Sequence, residues 1–155
     1  MPQQEQTYHR DKDYSMWHRI PSVSRYVTLH EARQLTMIDL DIILWVEAQH
    51  GTNRPVALLE TARDVGQATK TCTITAHLAK MASIPAFCVL YRLGEEPAPA
   101  DPKVICKDIT AFRVRQIAPQ ETWAWTSYSP AEYAYFLLAL RTRATAFVPK
   151  AGDTP

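Results

Sequence analysis

The sequence is poor in glycine and carries almost no net charge. Its 155 residues include four glycines, all isolated, so the chain lacks the glycine-rich loop that cradles phosphates in nucleotide-binding folds. No serine stands in a Gly-x-Ser-x-Gly setting, which argues against a nucleophile-elbow hydrolase. Seventeen Lys plus Arg against sixteen Asp plus Glu leave a formal charge of +1. No overall field therefore draws the chain to nucleic acid or lipid, and any polyanion site must be local.

Cysteine and long apolar runs are scarce as well. Cys72, Cys88 and Cys106 form no Cys-x-x-Cys pair and have no paired histidines nearby, which predicts reduced thiols rather than a disulfide or a zinc site. Apolar runs such as Ile42–Val46 are far shorter than the ~20 residues of a membrane helix, and the polar N-terminus has no signal-peptide stretch. These absences predict a soluble, cytoplasmic protein.

Composition divides the chain into a central region and two ends. Residues 1–16 are Gln-rich and charged without periodicity, and residues 149–155 are polar, so we expect flexible termini. Residues 17–148 are predicted to form one domain, with its core at about residues 36–93.

Hydrophobic patterning predicts an α/β fold with a mixed sheet. Alternating apolar residues predict a strand over residues 37–47, and a turn signal with a β-prone run to residue 63 completes a hairpin. Weaker patterns predict a strand at 24–28 and a helix at 29–35. The later predicted elements are a helix at 68–82, a strand at 86–91, a loop at 95–102, a strand at 109–117, an edge strand at 123–126 and a helix at 129–143.

Both longer helices have predicted inward faces. The closing helix opens on a capping box, Ser129-Pro130-Ala131-Glu132, with proline at the first helical position. Its inward stripe is predicted to be Tyr133, Phe136, Leu137 and Leu140. The apolar face of the earlier helix is predicted to be Cys72, Ile74, Leu78 and Met81, opposite Lys70, Thr73, His77 and Lys80.

The hairpin brings two acidic residues into one register. A turn centred between residues 50 and 51 pairs Trp45 with Val56 and Asp41 with Glu60, and directly opposed residues lie about 5 Å apart on one face. Opposed carboxylates are destabilising unless a cation or proton neutralises them, and a divalent metal is the usual remedy. A two-residue shift, a longer loop or a bulge would instead separate them, leaving a strand cap and a solvated acid.

These segments resemble the metal-binding core of the PD-(D/E)XK nuclease superfamily. The resemblance spans residues 37–92 and joins Ile38-Asp39-Leu40-Asp41, the strand around Glu60, a helix and the strand at 84–91. The chain is similar to small phage and bacterial members in which an Asp-bearing strand precedes an Ala-Leu-Ile-Glu-x-Lys strand.

The resemblance implies an αβββαβ core and a function on DNA. It implies that Asp41 and Glu60 hold Mg²⁺ or Mn²⁺, that residues 29–35 form the leading helix, and that Glu31 is an auxiliary acid. In such chemistry the carboxylates hold metal ions that orient water and stabilise charge on the scissile phosphate, while a lysine positions or deprotonates the water.

The lysine of the family motif is missing. Its place, two residues after Glu60, is taken by Ala62. Arg63 points to the opposite face unless a bulge re-aims it, whereas Lys70, near the start of the next helix, is the better substitute. The alternative for Lys70 is an ordinary solvated side chain.

Basic and aromatic residues elsewhere are candidates for nucleic-acid binding. Arg19, Arg25, Lys70 and Lys80 are the predicted backbone contacts, and Arg113 with Arg115 add two charges on one face of a strand. The alternative is that the arginines are solvated and the aromatic residues pack beneath the sheet. Trp123 and Trp125 are predicted to be core or interface residues.

Two functions follow from these residues. The first is a metal-dependent nuclease or DNA-binding relative in which Lys70 or Arg63 assists Asp41 and Glu60. The second is a catalytically inactive nuclease-fold protein of a phage or mobile element, acting on a protein partner as an inhibitor or accessory factor. Ala62 favours the second function.

Overall fold

The structure is a computed structural model in which the chain divides into two compact units, residues 1–39 and 40–155. The described residues are 20–34, 40–47, 53–97 and 107–146.

The described part of the first unit consists of two short helices, α1 (Ile20–Val23) and α2 (Leu29–Gln34). The carboxylate of Glu31 accepts the backbone N–H of Thr28 at 2.9 Å, and the Thr28 hydroxyl accepts the N–H of Glu31 at 3.2 Å. This capping box begins α2. The predicted strand at 24–28 is wrong, because these residues turn from one helix into the next.

The second unit is built on one mixed sheet with the strand order β1-β2-β3-β4-β5. Strands β2 and β3 are parallel, and the other neighbouring pairs are antiparallel. With two helices in this unit, the predicted α/β class is confirmed. The elements are β1 (Ile42–Glu47), β2 (Asn53–Arg63), α3 (Thr73–Met81), β3 (Ala86–Pro97), β4 (Lys107–Ala118), β5 (Thr126–Tyr128) and α4 (Pro130–Ala146).

The αβββαβ order implied by the nuclease resemblance is not confirmed. Across the described ranges two strands, β1 and β2, lie between α2 and α3. The parallel pairing of β2 and β3 through α3 is a crossover connection, as parallel neighbours require.

The hairpin register follows the prediction at its open end and departs from it near the turn. Ile42 pairs with Leu59 and Ile43 with Leu58, but the register shifts after Leu44, and Trp45 pairs with Pro55 instead of Val56. The predicted Trp45–Val56 pair is therefore wrong. Pro55 has no N–H to donate to the ladder, and proline within a sheet is confined to edges and bulges.

The two faces of the sheet carry separate core clusters, each covered by one helix. Strand alternation sends Ala57 and Leu59 toward α4, and Leu58 and Glu60 toward α3. The α4 side contains Val46, Val56, Ala57, Leu59, Phe87, Val89, Val114 and Leu140. The α3 side contains Leu58, Cys72, Ala79, Ala86, Cys88, Leu90, Ile117 and Ala118.

Helix α4 agrees with its prediction and α3 does not. The Ser129–Glu132 capping box is formed, with the Ser129 N–H donating to the Glu132 carboxylate at 2.7 Å, and the predicted inward stripe packs on the core. Helix α3 begins at Thr73 rather than 68 and buries Thr75 and Ala79. The larger residues that were predicted to be buried, Ile74, Leu78 and Met81, are exposed. Because Thr75 and Ala79 are small and four residues apart, they let the helix approach the sheet closely. Side-chain size, rather than hydrophobicity, therefore determines which face of α3 is buried.

Two further strands differ from prediction, and one agrees with it. Strand β3 runs to Pro97, so residues 95–97, predicted as loop, are in the sheet. The edge strand is Thr126–Tyr128, and the two tryptophans before it lie outside the strand. Strand β4 is close to its predicted range.

The cysteines and the described helices bear on two of the expectations from scarce residue types. Cys72 and Cys88 are free and buried, and Cys106 lies outside the described residues. Among the helices that the structure describes, none is long and apolar enough to cross a membrane. The cytoplasmic location stays a prediction.

Candidate functional site

A single lysine ammonium joins the two acidic residues singled out in the sequence. Lys70 Nζ lies 2.7 Å from Glu60 Oε1 and 3.6 Å from Asp41 Oδ2. It also donates to the backbone carbonyl of Thr61 at 2.5 Å. Asp41 directly precedes β1, and Glu60 lies within β2. The hairpin thus sets both carboxylates around one point.

Glu60 is fixed on both of its carboxylate oxygens. Its side chain faces α3, the residue is 7% exposed, and Oε2 accepts the hydroxyl of Thr75 at 2.6 Å. Oε1 takes the ammonium of Lys70. A carboxylate removed from water needs such partners to stay charged.

Asp41 is anchored through one oxygen. Its Oδ2 accepts the N–H of Thr61 at 2.7 Å and the Thr61 hydroxyl at 3.1 Å. Within the described ranges, no residue hydrogen-bonds to Oδ1. Asp41 therefore keeps an oriented acceptor that can take a ligand.

Lys70 lies in the extended segment between β2 and α3 and is partly buried. Burial alone would lower the pKa of Lys70, but the hydrogen bond and charge of Glu60, with the charge of Asp41, outweigh burial and raise the pKa above its ordinary value. The side chain is thus held as an ammonium by two acids. The alternative of an ordinary solvated lysine is wrong.

Arg63 does not join this cluster. Its strand pairs with β3 without a register shift, so no bulge re-aims the side chain, and it is exposed. No hydrogen bond or ion pair in the described part of the chain links Arg63 to Asp41 or Glu60. Ala62 lies on the same face as Glu60 and packs against the α3-side core.

The oxygen atoms around Lys70 suit a small hard cation. Asp41, Glu60 and the Thr61 carbonyl all contact the same ammonium, and Mg²⁺ is typically held by one or two carboxylates together with waters. Within the described residues, no group of three or more His, Cys, Asp or Glu could hold a metal. The two carboxylates are the only acidic side chains in contact with Lys70 among these residues, and the Lys70 ammonium lies between them.

The predicted nucleic-acid contacts belong partly to the first unit and partly to the second. Lys70 and Lys80 line one cavity of about 390 Å³ beside the start of α3. Arg25 belongs to the first unit, where its Nε donates to the Ser22 carbonyl and its guanidinium lies 5.1 Å from the Tyr26 ring. Arg19 lies outside the described residues. In the first unit Glu31 caps a helix, and its auxiliary acid role stays a prediction.

A second ion pair, between Asp64 and Arg113, was not predicted from the sequence. Asp64, just after β2, accepts two hydrogen bonds from Arg113, at 2.9 and 2.7 Å, and one from the Gly66 N–H at 3.0 Å. The bond from Arg113, then that from Gly66, lowers the pKa of Asp64. Arg113 was predicted as a solvated or phosphate-binding residue, but its fork is committed to this acid. Only the fold brings the two residues together.

Arg115 and Trp123 differ from expectation, whereas Trp125 packs on the core as predicted. Arg115 was predicted to be solvated or to hold phosphate, yet it is buried, between the indoles of Trp123 and Trp125 at 5.5 and 5.3 Å. Trp123, predicted as core or interface, is exposed. Trp125 packs on the α3-side core, and its Nε1 donates to the Ala68 carbonyl at 2.9 Å.

Comparisons with protein-family models, with curated proteins and with solved structures found no match for this chain. They neither support nor contradict the PD-(D/E)XK resemblance. Any functional inference therefore depends on the residues and their geometry.

Proposed function

We propose that this protein is a metal-dependent phosphodiesterase of the PD-(D/E)XK type that acts on DNA. Asp41 and Glu60 would be the metal ligands, and Lys70 would take the part of the missing motif lysine. The observation that carries the proposal is the convergence of both carboxylates and the Thr61 carbonyl on one cationic group.

Each residue has a role that its contacts support. Mg²⁺, when bound, supplies charge stabilisation and an activated water. Thr75 and Thr61 hold the carboxylates in orientation through their hydroxyl and amide groups. Lys70 carries a positive charge next to the acids, where it can stabilise the charge that develops on a phosphate.

A second candidate, an inactive nuclease-fold protein that acts on a protein partner, is favoured by a different observation. The Lys70 ammonium itself neutralises much of the negative charge of Asp41 and Glu60. With Ala62 at the motif position, the cluster then resembles a structural ion pair that has replaced a metal site.

Cleavage of supercoiled, linear and single-stranded DNA in Mg²⁺, Mn²⁺ or EDTA separates the two candidates. The variants are Asp41→Asn, Lys70→Ala and the double variant Lys70→Ala/Ala62→Lys. Because positions 60 and 62 share one face of β2, the double variant returns a lysine to the family position. Glu95→Gln, an exposed acid paired with Lys107, is the matched control.

The nuclease proposal expects cleavage that needs the divalent ion, is lost in Asp41→Asn, persists in Glu95→Gln and is at least partly restored in the double variant. No cleavage by wild type together with cleavage by the double variant would show a nuclease fold that has lost its catalytic activity. No cleavage by wild type or any variant, with no Mn²⁺ binding by calorimetry, would reject the nuclease proposal and leave the protein-interaction role.

A further inference from the structure

The cavity beside Lys70 lies between the start of α3 and the end of β4. Its volume is about 390 Å³, within the range of small-ligand sites. Its lining mixes polar and apolar residues, with three basic side chains, the acidic Glu121 that pairs with Arg115, and one large aromatic side chain. The residues that matter here are Thr71, Thr73, Lys80, Arg115 and Trp123.

The first wall of the cavity is the N-terminus of α3. The helix begins after Cys72, whose side chain makes no capping hydrogen bond. The first N–H groups of a helix have no partner within the helix, and with the helix dipole they attract anions such as phosphate. Lys80, which also lines the cavity, is exposed and has no ion-pair partner in the part of the chain that the structure describes.

The second wall contains a buried arginine with unused hydrogen-bonding capacity. Arg115 is 4% exposed, and its Nη1 lies 3.0 Å from Glu121. Its Nε has no hydrogen-bond partner among the described residues. Its guanidinium also lies 5.5 Å from the Trp123 ring and 5.3 Å from the Trp125 ring. A buried cation that is only partly satisfied, on the wall of a cavity, is a second and independent indication of an anionic ligand.

Trp123 gives the cavity an aromatic rim. Its ring lies against the Arg115 guanidinium at 5.5 Å, yet the residue is 75% exposed. Large exposed aromatic residues beside basic groups are the usual stacking platforms for unpaired bases. Its location next to a phosphate-attracting helix terminus places both features within one small cavity.

We propose that this cavity binds one nucleotide of single-stranded DNA, with the phosphate at the start of α3 and the base on Trp123. Lys80, in the last turn of α3, adds positive charge to the same cavity. The inference rests on the proposed function, because it names the form of substrate that reaches Asp41 and Glu60. The cavity has the volume for one nucleotide and not for a duplex. A base can stack on Trp123 only when it is unpaired.

The test is binding, measured without metal so that it does not depend on cleavage. Fluorescence anisotropy in EDTA compares a labelled oligo-dT with a labelled hairpin duplex. Expected results are tighter binding of oligo-dT and a loss of about 10-fold or more in Trp123→Ala, the usual effect of removing a stacked base contact. Lys80→Ala weakens binding and lowers the salt slope by about one.

Matched controls are Tyr135→Ala, an equally exposed aromatic on α4, and Lys107→Ala, an exposed lysine on β4. Both should bind oligo-dT as wild type does, and thermal melts establish that all variants are folded. Equal or tighter duplex binding, or a Trp123→Ala variant as tight as wild type, overturns the inference. Tight oligo-dT binding without cleavage in Mg²⁺ supports the inference and counts against the nuclease proposal alone.

Discussion

Two acid–base clusters lie four residues apart on the same chain segment and are built differently. Around Glu60, one lysine ammonium serves two carboxylates and a backbone carbonyl. Around Asp64, one carboxylate accepts two hydrogen bonds from the Arg113 guanidinium and one from the Gly66 N–H. Arg92 Nη2 also lies 3.7 Å from Asp64 Oδ2. The first cluster has more acid than base, and the second has more base than acid.

The two clusters differ in how accessible their carboxylates are to a ligand and in how firmly their basic partners are held. The planar fork of Arg113 fits the Asp64 carboxylate in one orientation, and that carboxylate is 4% exposed, which leaves little access for a ligand. Lysine is a point charge on a flexible stem, so Lys70 can move aside while Asp41 and Glu60 stay in place. Under the proposed function, chemistry therefore belongs to the first cluster, whereas the second cluster stabilises the fold.

The largest expected effect comes from removing the basic residue of each cluster in turn. Lys70→Ala should lower the rate of DNA cleavage by roughly 10²–10³-fold, the usual cost of one transition-state electrostatic contact. Arg113→Ala should keep the cleavage rate of the folded protein but lower its melting temperature, because Asp64 loses both hydrogen bonds from the guanidinium. Single-turnover rates and thermal melts measure the two effects. An Arg113→Ala variant with wild-type stability and lost cleavage contradicts the assignment.

A second prediction uses pH to examine the Asp64 cluster. Because the pKa of Asp64 is lowered in the folded protein, its ion pair stabilises the fold above the unfolded pKa of about 3.9. That stabilisation is lost as pH falls through the lower folded pKa. Urea unfolding should therefore show Asp64→Asn less stable than wild type at pH 7 and 5, with a smaller difference at pH 3. A difference that grows toward acid pH contradicts the pairing.

The fold was predictable where local patterns decide it. The alternation of Ile42 and Leu44, the capping box at Ser129 and the continuous apolar run of β3 each specify an element without reference to the rest of the chain. The face of α3 was not predictable, because its buried side is chosen by the fit of Thr75 and Ala79 against the sheet. Hydrophobic periodicity indicates where apolar residues recur along a helix, but it does not predict which side chains are small enough to pack against the sheet.

The site was half predictable for the same reason. Turn geometry predicted Asp41 near Glu60, and the resemblance to nucleases that supply the basic group from the following helix singled out Lys70. Thr75 reaches Glu60 only through the packing of α3, and Asp64 meets Arg113 across 49 residues of chain. Contacts of that kind depend on how α3 and β4 pack in the folded protein, and the sequence carries no local signal for that packing.

The smallest expected effect sharpens the comparison at Thr75. Thr75→Val keeps the volume but removes the hydroxyl that binds Glu60 Oε2, so unfolding should cost about 1 kcal/mol less. Thr126→Val, at an exposed position of the edge strand, should change stability by less than about 0.5 kcal/mol. Urea unfolding at pH 7 compares them. If Glu60 is held for chemistry, Thr75→Val should also slow cleavage, since a carboxylate with one free oxygen can rotate away from Asp41. Unchanged cleavage in a destabilised Thr75→Val variant would instead make the Thr75 contact purely structural, like the bonds around Asp64.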